Sequence, residues 1–159
     1  MHVHIGGDHA AYDLKVHLVE HLLAQGHDVT DHGPDYYDAE DDYPVAVLRC
    51  AEAVSGEPGH LGIVLGGSGN GEQIAANKVK GIRAALAWSE ETAQLARLHN
   101  NAQVVSIGAR VTGPEVATRI VDVFLSTHFS AEARHERRLD MVTRYEQDGE
   151  LPPIPASEG

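Results

Sequence analysis

Apolar residues come in short runs separated by longer stretches of helical period. The first run, 2–6, predicts a strand. Leu14, Leu18 and Leu22, with Val19 beside them, recur at the spacing that places them on one face of a helix over 11–24, which Gln25-Gly26 ends. A second strand is predicted over 27–31, a loop rich in Asp, Tyr, Gly and Pro over 32–42, a helix over 43–54 and a turn over 55–59. A third strand over 61–65 runs into a Gly-rich segment and a short helix that ends near Lys78. Strand four is predicted over 82–88 and a helix over 90–98, capped by Ser89. Strand five follows over 104–107, then a helix over 114–127 with Pro114 near its first position and a last helix over 131–146. Three prolines after Leu151 predict a flexible end, so the chain divides into one domain over 1–146 and a tail over 147–159.

Strands that alternate with helices predict an α/β fold, a three-layer α/β/α sandwich around a five-stranded parallel sheet. Ligands of such sheets sit at the carboxyl ends of the strands. That rule selects Asp8-His9 after strand one, Ser68 to Glu72 after strand three and Arg110 after strand five. His99-Asn100-Asn101 ends the fourth helix, so a place at the cleft for it needs a separate argument.

The densest chemistry lies at 62–89. An apolar run, Gly62-Ile63-Val64-Leu65, breaks into Gly66-Gly67-Ser68-Gly69-Asn70-Gly71, and a helical pattern starts at Glu72. Four glycines in six residues let successive N–H groups point into one concavity at a helix N-terminus, where an anion is stabilised. Glu72 stands on the rim. A carboxylate beside a ring of N–H donors is a base beside an oxyanion hole. The segment is neither a P-loop, since GxxxxGK[ST] is absent, nor a dinucleotide fingerprint, since no GxGxxG follows the first or third strand. A tight turn needs only one or two glycines; four argue for a ligand.

Charge and composition narrow the partners. The 159 residues carry a net charge of −12, which argues against nucleic acid and anionic lipid as partners and means that an anionic substrate needs a local basic cluster. One cysteine, Cys50, forms no internal disulfide and, between Val47, Leu48 and Val54, reads as a core thiol. No run approaches the roughly 20 apolar residues of a membrane span, and the first residues lack a basic and apolar leader; a soluble, cytoplasmic protein is expected. The 11 histidines look scattered. His17 and His21 stand at i, i+4, but no HExxH or Cys/His cluster accompanies them, so no metal site is expected.

Several candidates carry two readings. Asp8 explains itself as a helix cap; His9 does not. His99 and Asn100 are, on spacing alone, ordinary residues of a helix end. Arg134, Arg137, Arg138 and Arg144 concentrate basic charge in the last helix. Arg134 and Arg138 share a face and, with Arg110, suit a bidentate phosphate clamp, or they form a solvated face paired with Glu132 and Glu136.

Taken together, Gly6-Gly7-Asp8-His9-Ala10-Ala11, Gly67-Ser68-Gly69-Asn70-Gly71-Glu72, Ala75-Ala76-Asn77-Lys78, His99-Asn100-Asn101-Ala102 and Gly108-Ala109-Arg110 resemble the ribose-5-phosphate isomerase B family over nearly the whole chain. The family also contains allose- and galactose-6-phosphate isomerases. The resemblance implies a Rossmann-like sheet and metal-free, cofactor-free interconversion of an aldose phosphate and a ketose phosphate. It also implies a homodimer, or a dimer of dimers, with sites shared between subunits. Many members open the glycine loop with a catalytic cysteine, in a pattern like CGTGIGM. Gly66 holds that position here and Glu72 the methionine position, so the chain resembles a subgroup whose base is a glutamate. Carried over, Glu72 is the proton acceptor and His99 the general acid. Asp8, His9, the Gly67, Ser68, Gly69, Asn70 and Gly71 backbone, Asn100, Arg110, Arg134 and Arg138 bind substrate, with Tyr43 and His135 as further candidates. A 6-phosphohexose isomerase and a non-catalytic sugar-phosphate sensor are the alternatives. A sensor gives no reason for a base to reappear where the thiol is lost.

Overall fold

The strand expected over 2–6 forms as β1 (His2–Gly7). After a 3-10 turn at His9–Ala11, the chain continues through α1 (Tyr12–Ala24), β2 (Asp28–Asp31), α2 (Pro44–Gly56), β3 (Leu61–Gly66) and α3 (Asn70–Ala76). It then forms β4 (Ala84–Leu86), α4 (Glu90–Asn100), β5 (Val104–Gly108), α5 (Pro114–Ser126) and α6 (Ala133–Asp148). The computed structural model describes residues 1–155. All ladders are parallel, and the strand order is β2-β1-β3-β5-β4. The chain steps outward from β1 to β2, then crosses back to lay β3 on the other side of β1. Where the direction reverses, a crevice opens between the carboxyl ends of β1 and β3. Gly7 is in register with Leu65 there, so Asp8 and the loop after Gly66 flank the crevice.

Alternation along the strands feeds two cores. Ile5, Ile63, Leu65 and Ile107 face Leu14, Leu18 and Leu22 of α1 and Ile120, Val121 and Phe124 of α5. Val64 and Val104 face Val47, Cys50, Ala51 and Val54 of α2 and Ala76 of α3. Helices on both faces of a parallel sheet make the expected three layers. Cys50 is fully buried, and burial pushes its thiol up to about 12. Its lining is not quite the expected one, because Leu48 faces solvent and Ala51 packs instead.

Strand four is shorter than predicted. β4 is an edge strand, and the Asn77 side chain closes its free side at one residue: Asn77 Nδ2 donates to the Ala84 carbonyl at 2.8 Å, and the Ala84 N–H donates to Asn77 Oδ1 at 2.9 Å. An amide side chain thus substitutes for the next strand. The last helix runs to Asp148, where Gly149 adopts a left-handed φ of 74° and ends it. The predicted tail therefore starts later than residue 147, and its last part, 156–159, lies outside the described residues.

Two buried polar side chains have no counterpart in the pattern reading. Lys15 of α1, 2% exposed, binds the Asp31 carboxylate and donates to the Pro34 carbonyl at 2.8 Å, tying α1 to the end of β2. His4 of β1 is as deeply buried. Burial first, then His32 and His2, lower its imidazole to about 4.

Candidate active site

The glycine segment bends around side chains as much as it opens toward a ligand. Gly69 has φ +82°, and a Cβ there would come within 2.6 Å of Leu86 Cδ1. Its carbonyl accepts a 2.7 Å bond from the buried Ser106 hydroxyl, which anchors the loop to β5. The helix begins at Asn70, two residues before the expected Glu72. Asn70 donates through its N–H to Ser68 Oγ at 3.3 Å.

Glu72 lies in the first turn of α3 and points back beneath the loop, 4% exposed. A Cβ on Gly66 would fall 1.9 Å from Glu72 Oε1 and 2.1 Å from its carboxyl carbon. The carboxyl group thus fills the room that any side chain at 66 would need. The two positions exchange as a pair: a cysteine at 66 excludes this placement of Glu72. Burial, with Asp8 adding repulsion, raises the Glu72 pKa above its ordinary value, while the N–H groups of Glu72 and Gly69 oppose the shift. The contest between helix terminus and desolvation resolves toward the more basic carboxylate.

Asp8 caps the 3-10 turn, accepting from the Ala10 N–H at 3.0 Å, and it also stands at the crevice. Burial raises its pKa, with His9 pulling it down. His9 Nδ1 donates to Asp41 Oδ1 at 2.7 Å, and the His9 N–H donates to the same oxygen at 2.9 Å. In the sequence Asp41 is one residue of a loop rich in Asp, Tyr, Gly and Pro. Nothing local marks it, because its partner is 32 residues away in sequence. With Nδ1 held, His9 Nε2 makes no hydrogen bond among the described residues. The Tyr43 ring covers the loop, its Cζ within 2.8 Å of where a Cβ on Gly71 would sit. The Arg110 guanidinium lies over Gly67, with Nη1 3.3 Å from the corresponding point, and the Arg110 N–H donates to the Gly67 carbonyl at 3.0 Å. Asp8, His9, Tyr43, Gly67 to Glu72 and Arg110 are therefore gathered at one crevice. Asp8, His9 and Asp41 have the mutual spacing to hold a cation, but one oxygen of each carboxylate already accepts hydrogen bonds.

The remaining candidates lie at the other edge of the sheet. His99 and Asn100 close α4. Arg83, just before β4, donates to the carbonyls of Asn100 at 2.9 Å and Asn101 at 3.1 Å, and β5 begins three residues after Asn101 at Val104. The length of β5, five residues or about 17 Å at ~3.3 Å each, separates this edge from the crevice. The His99 ring packs on that of His135, centroids 4.3 Å apart. His135 is buried and fixed by Ser130 Oγ at 2.8 Å from its Nδ1; burial, then His99 and Arg134, lower its pKa. Arg134 donates to Glu132 at 2.8 Å, and Arg138 makes no ion pair among the described residues.

Comparison with known proteins places this arrangement. The family profile described as Ribose/Galactose Isomerase matches residues 3–142. The ribose-5-phosphate isomerase B of Mycobacterium tuberculosis is 53% identical over 157 residues, 99% of this chain and 97% of that protein. The Escherichia coli protein of the same name is 39% identical over 142 residues, 89% of this chain and 94% of the other. Among solved structures, ribose-5-phosphate isomerase B from Mycoplasma genitalium with bound ribulose-5-phosphate superposes with a TM-score of 0.88 at 42% identity, covering 92% of this chain and 97% of that one.

Proposed function

The chain belongs to the ribose/galactose isomerase family, and from that premise we propose that it interconverts ribose 5-phosphate and ribulose 5-phosphate, an aldose and a ketose, with Glu72 as the base. The observation that carries this reading is the Glu72 carboxyl group seated in the space above Gly66, buried and made more basic by that burial. Glu72 takes the proton that moves between C1 and C2 of the open-chain sugar, through an enediolate. The loop N–H groups, aimed at the developing oxyanion, supply stabilisation on the order of 3–4 kcal/mol for one well-placed donor. Asp8 and the free edge of His9 face the sugar hydroxyls. Ring opening falls to an acid–base group, His99 or Asp8. Arginines hold the phosphate, so that binding energy at the far end orients C1 and C2.

One chain does not assemble that set. His99, Asn100, Arg134 and Arg138 lie an edge away from Glu72, so we infer a homodimer in which a second copy supplies them to the crevice. Two features support it. β4 is an edge strand that Asn77 closes at Ala84 alone, and Ile74, Trp88 and Val142 are exposed apolar side chains on the helices and loops around it. Two such dimers pairing further is compatible with the same interface. The substrate is a free small molecule, and no helix of the chain is long and apolar enough to cross a membrane. A place in the cytoplasm, where sugar phosphates are made and used, fits the unpaired Cys50 thiol.

The reading is tested by assaying purified protein with ribose 5-phosphate and allose 6-phosphate side by side. Faster turnover of the pentose is expected; a clear preference for the hexose would move the substrate within the family, and no turnover of either would return the sensor.

A further inference from the structure

The histidines are not scattered in space. His2 and His4 of β1, His32 just after β2 and His60 just before β3 converge beside the C-terminal end of α2, far from the crevice: His4 precedes Asp8 by four residues on an extended strand, about 13 Å. The His2 and His60 rings stack, with centroids 4.5 Å apart and planes 4° from parallel. Both nitrogens of buried His4 face other imidazoles, Nδ1 at 3.0 Å from His32 Nε2 and Nε2 at 3.2 Å from His60 Nδ1. His60 Nδ1 also lies 2.7 Å from Glu57 Oε2. One ring nitrogen from each of His2, His4 and His60 falls within 4.8 Å of the others.

Protons alone serve this arrangement poorly. His60 Nδ1 faces an imidazole nitrogen and a carboxylate oxygen at once, and a single N–H cannot point fully at both. If His60 Nδ1 accepts from His4 instead, its lone pair is turned on the carboxylate. A cation between the three removes the conflict: His2, whose Nε2 bonds to Thr30 Oγ1 at 2.8 Å, offers Nδ1, and the His2 and His60 rings turn out of their parallel stack to aim their lone pairs at the ion. Two nitrogens on a tetrahedral zinc ion at ~2.0–2.1 Å are about 3.3 Å apart, close to the 3.2 Å between His4 and His60. The donor set is imidazole with a carboxylate at the rim, which suits zinc, copper or nickel and not magnesium or calcium.

We propose that His2, His4 and His60, with Glu57 at the rim, form a binding site for a divalent transition-metal cation of the zinc class, separate from the active site. Such an ion joins the start of β1 to the α2–β3 turn and acts on stability, with no part in proton transfer. His17 and His21, the pair that sequence spacing singles out, bond to Thr118 at 3.0 Å and Asp122 at 2.7 Å instead and form no ligand set.

The test uses untagged full-length protein stripped with EDTA and dialysed. Titration with zinc chloride, followed by calorimetry and elemental analysis, should give one tight zinc per chain and a raised Tm. Cobalt(II) should give the visible absorption of a tetrahedral nitrogen–oxygen site. His60→Gln and His2→Gln, both at partly exposed rings and checked for native circular dichroism, should weaken zinc at least about tenfold, the lower end of what even a supporting group contributes to a metal site. They should also lose the Tm shift and the cobalt spectrum. His17→Asn should keep all three. Zinc binding unchanged in both His60→Gln and His2→Gln, or the absence of stoichiometric binding to the unaltered protein, overturns the site. Loss of binding in His9→Asn with retention in His60→Gln would overturn it in favour of Asp8, His9 and Asp41.

Discussion

The two edges of the sheet hold different halves of the proposed chemistry. At the carboxyl edge, Glu72 is fixed by what surrounds it: Gly66 gives it room, Ser106 anchors the loop through Gly69, and Asp41 holds His9 beside it. At the amino edge, His99 rests on His135, and Arg134 and Arg138 are exposed, with Glu132 on Arg134 as their one ion-pair partner among the described residues. The first region holds the proposed base, Glu72, beside Asp8 and Asp41, with Arg110 as its arginine. The second concentrates positive charge in a chain of net charge −12 and holds His99 but not the Glu72 carboxylate. Under the proposed mechanism each is incomplete, and each supplies what the other lacks. Separation of this kind points to a site closed by a second copy, because isologous contact brings opposite edges of two identical chains together.

The largest effect should come from removing the base. Glu72→Gln is nearly isosteric and should fold and bind substrate. It cannot accept the carbon-bound proton, so kcat should fall by roughly 100-fold to 10,000-fold. Cys50→Ser should keep most activity, because the thiol is sealed in the α2 core and held protonated. Exchange of the substrate C2 proton with deuterated water, followed by NMR in both variants, checks the pair. Brisk exchange in Glu72→Gln together with its loss in Cys50→Ser would falsify the assignment of the base.

A smaller loss should follow from intruding on Glu72 without touching it. The added Cβ of Gly66→Ala cannot coexist with a carboxyl oxygen 1.9 Å away, so the side chain must leave its place. A misplacement of about 1 Å can cost on the order of 100-fold, and kcat should drop by at least about tenfold. In a Glu72→Gln background the same change should cost little more, since the group it displaces no longer acts. Additive losses in the double variant would show that Gly66 serves the loop and not the carboxylate.

The sharing of sites is read by mixing. Glu72→Gln chains and His99→Asn chains are each expected to be nearly inactive. If every crevice takes Glu72 from one copy and His99 from the other, a mixed dimer has one intact site and one doubly altered site. Random exchange of equal amounts should then restore about a quarter of the unaltered activity, as a two-fold arrangement requires. No recovery after demonstrated subunit exchange would mean that each site comes from one chain, and the contrast between the two edges would lose its functional meaning.

How far the sequence reaches is clear from particular residues. Periodicity locates five strands and six helices, and the strand-end rule alone selects Asp8-His9, Ser68 to Glu72 and Arg110, since strand order and handedness leave few choices. What it missed was pairing across sequence. Asp41 matters through His9 and Lys15 through Asp31, and no window of ten or fifteen residues contains both partners of either pair; Asn77 and Ala84 are seven apart, but no periodicity marks an amide side chain that bonds to a strand backbone. The four histidines beside α2 come from three separate stretches, His2 and His4 from β1, His32 from after β2 and His60 from before β3. The mutual exclusion of Gly66 and Glu72 was visible as a coincidence of two positions, but its cause, one volume for two side chains, is a fact of three dimensions.

The smallest effect separates the cost of burying Glu72 from its use. Burial raises its pKa in the folded chain above the ordinary carboxylate range. The sign follows from linkage: the stability this group contributes is complete below the unfolded Glu value of about 4.3 and is lost as pH rises through the elevated folded value. At pH 8 the folded protein therefore carries a buried anion that Glu72→Gln does not. The variant should melt slightly higher than the unaltered protein at that pH, by at most a few degrees for a domain of this size, and the difference should vanish as the pH approaches 4. The same elevation should appear in kinetics as an acid limb of kcat/KM above the ordinary carboxylate pKa, absent from what activity Glu72→Gln retains. The Arg138→Ala variant, altered only at the other edge, should show neither a pH-dependent difference in melting nor a displaced acid limb. A variant at α6 that moved either quantity would mean the two edges are electrostatically coupled within one chain, and the division between a chemical edge and a charged edge would fail.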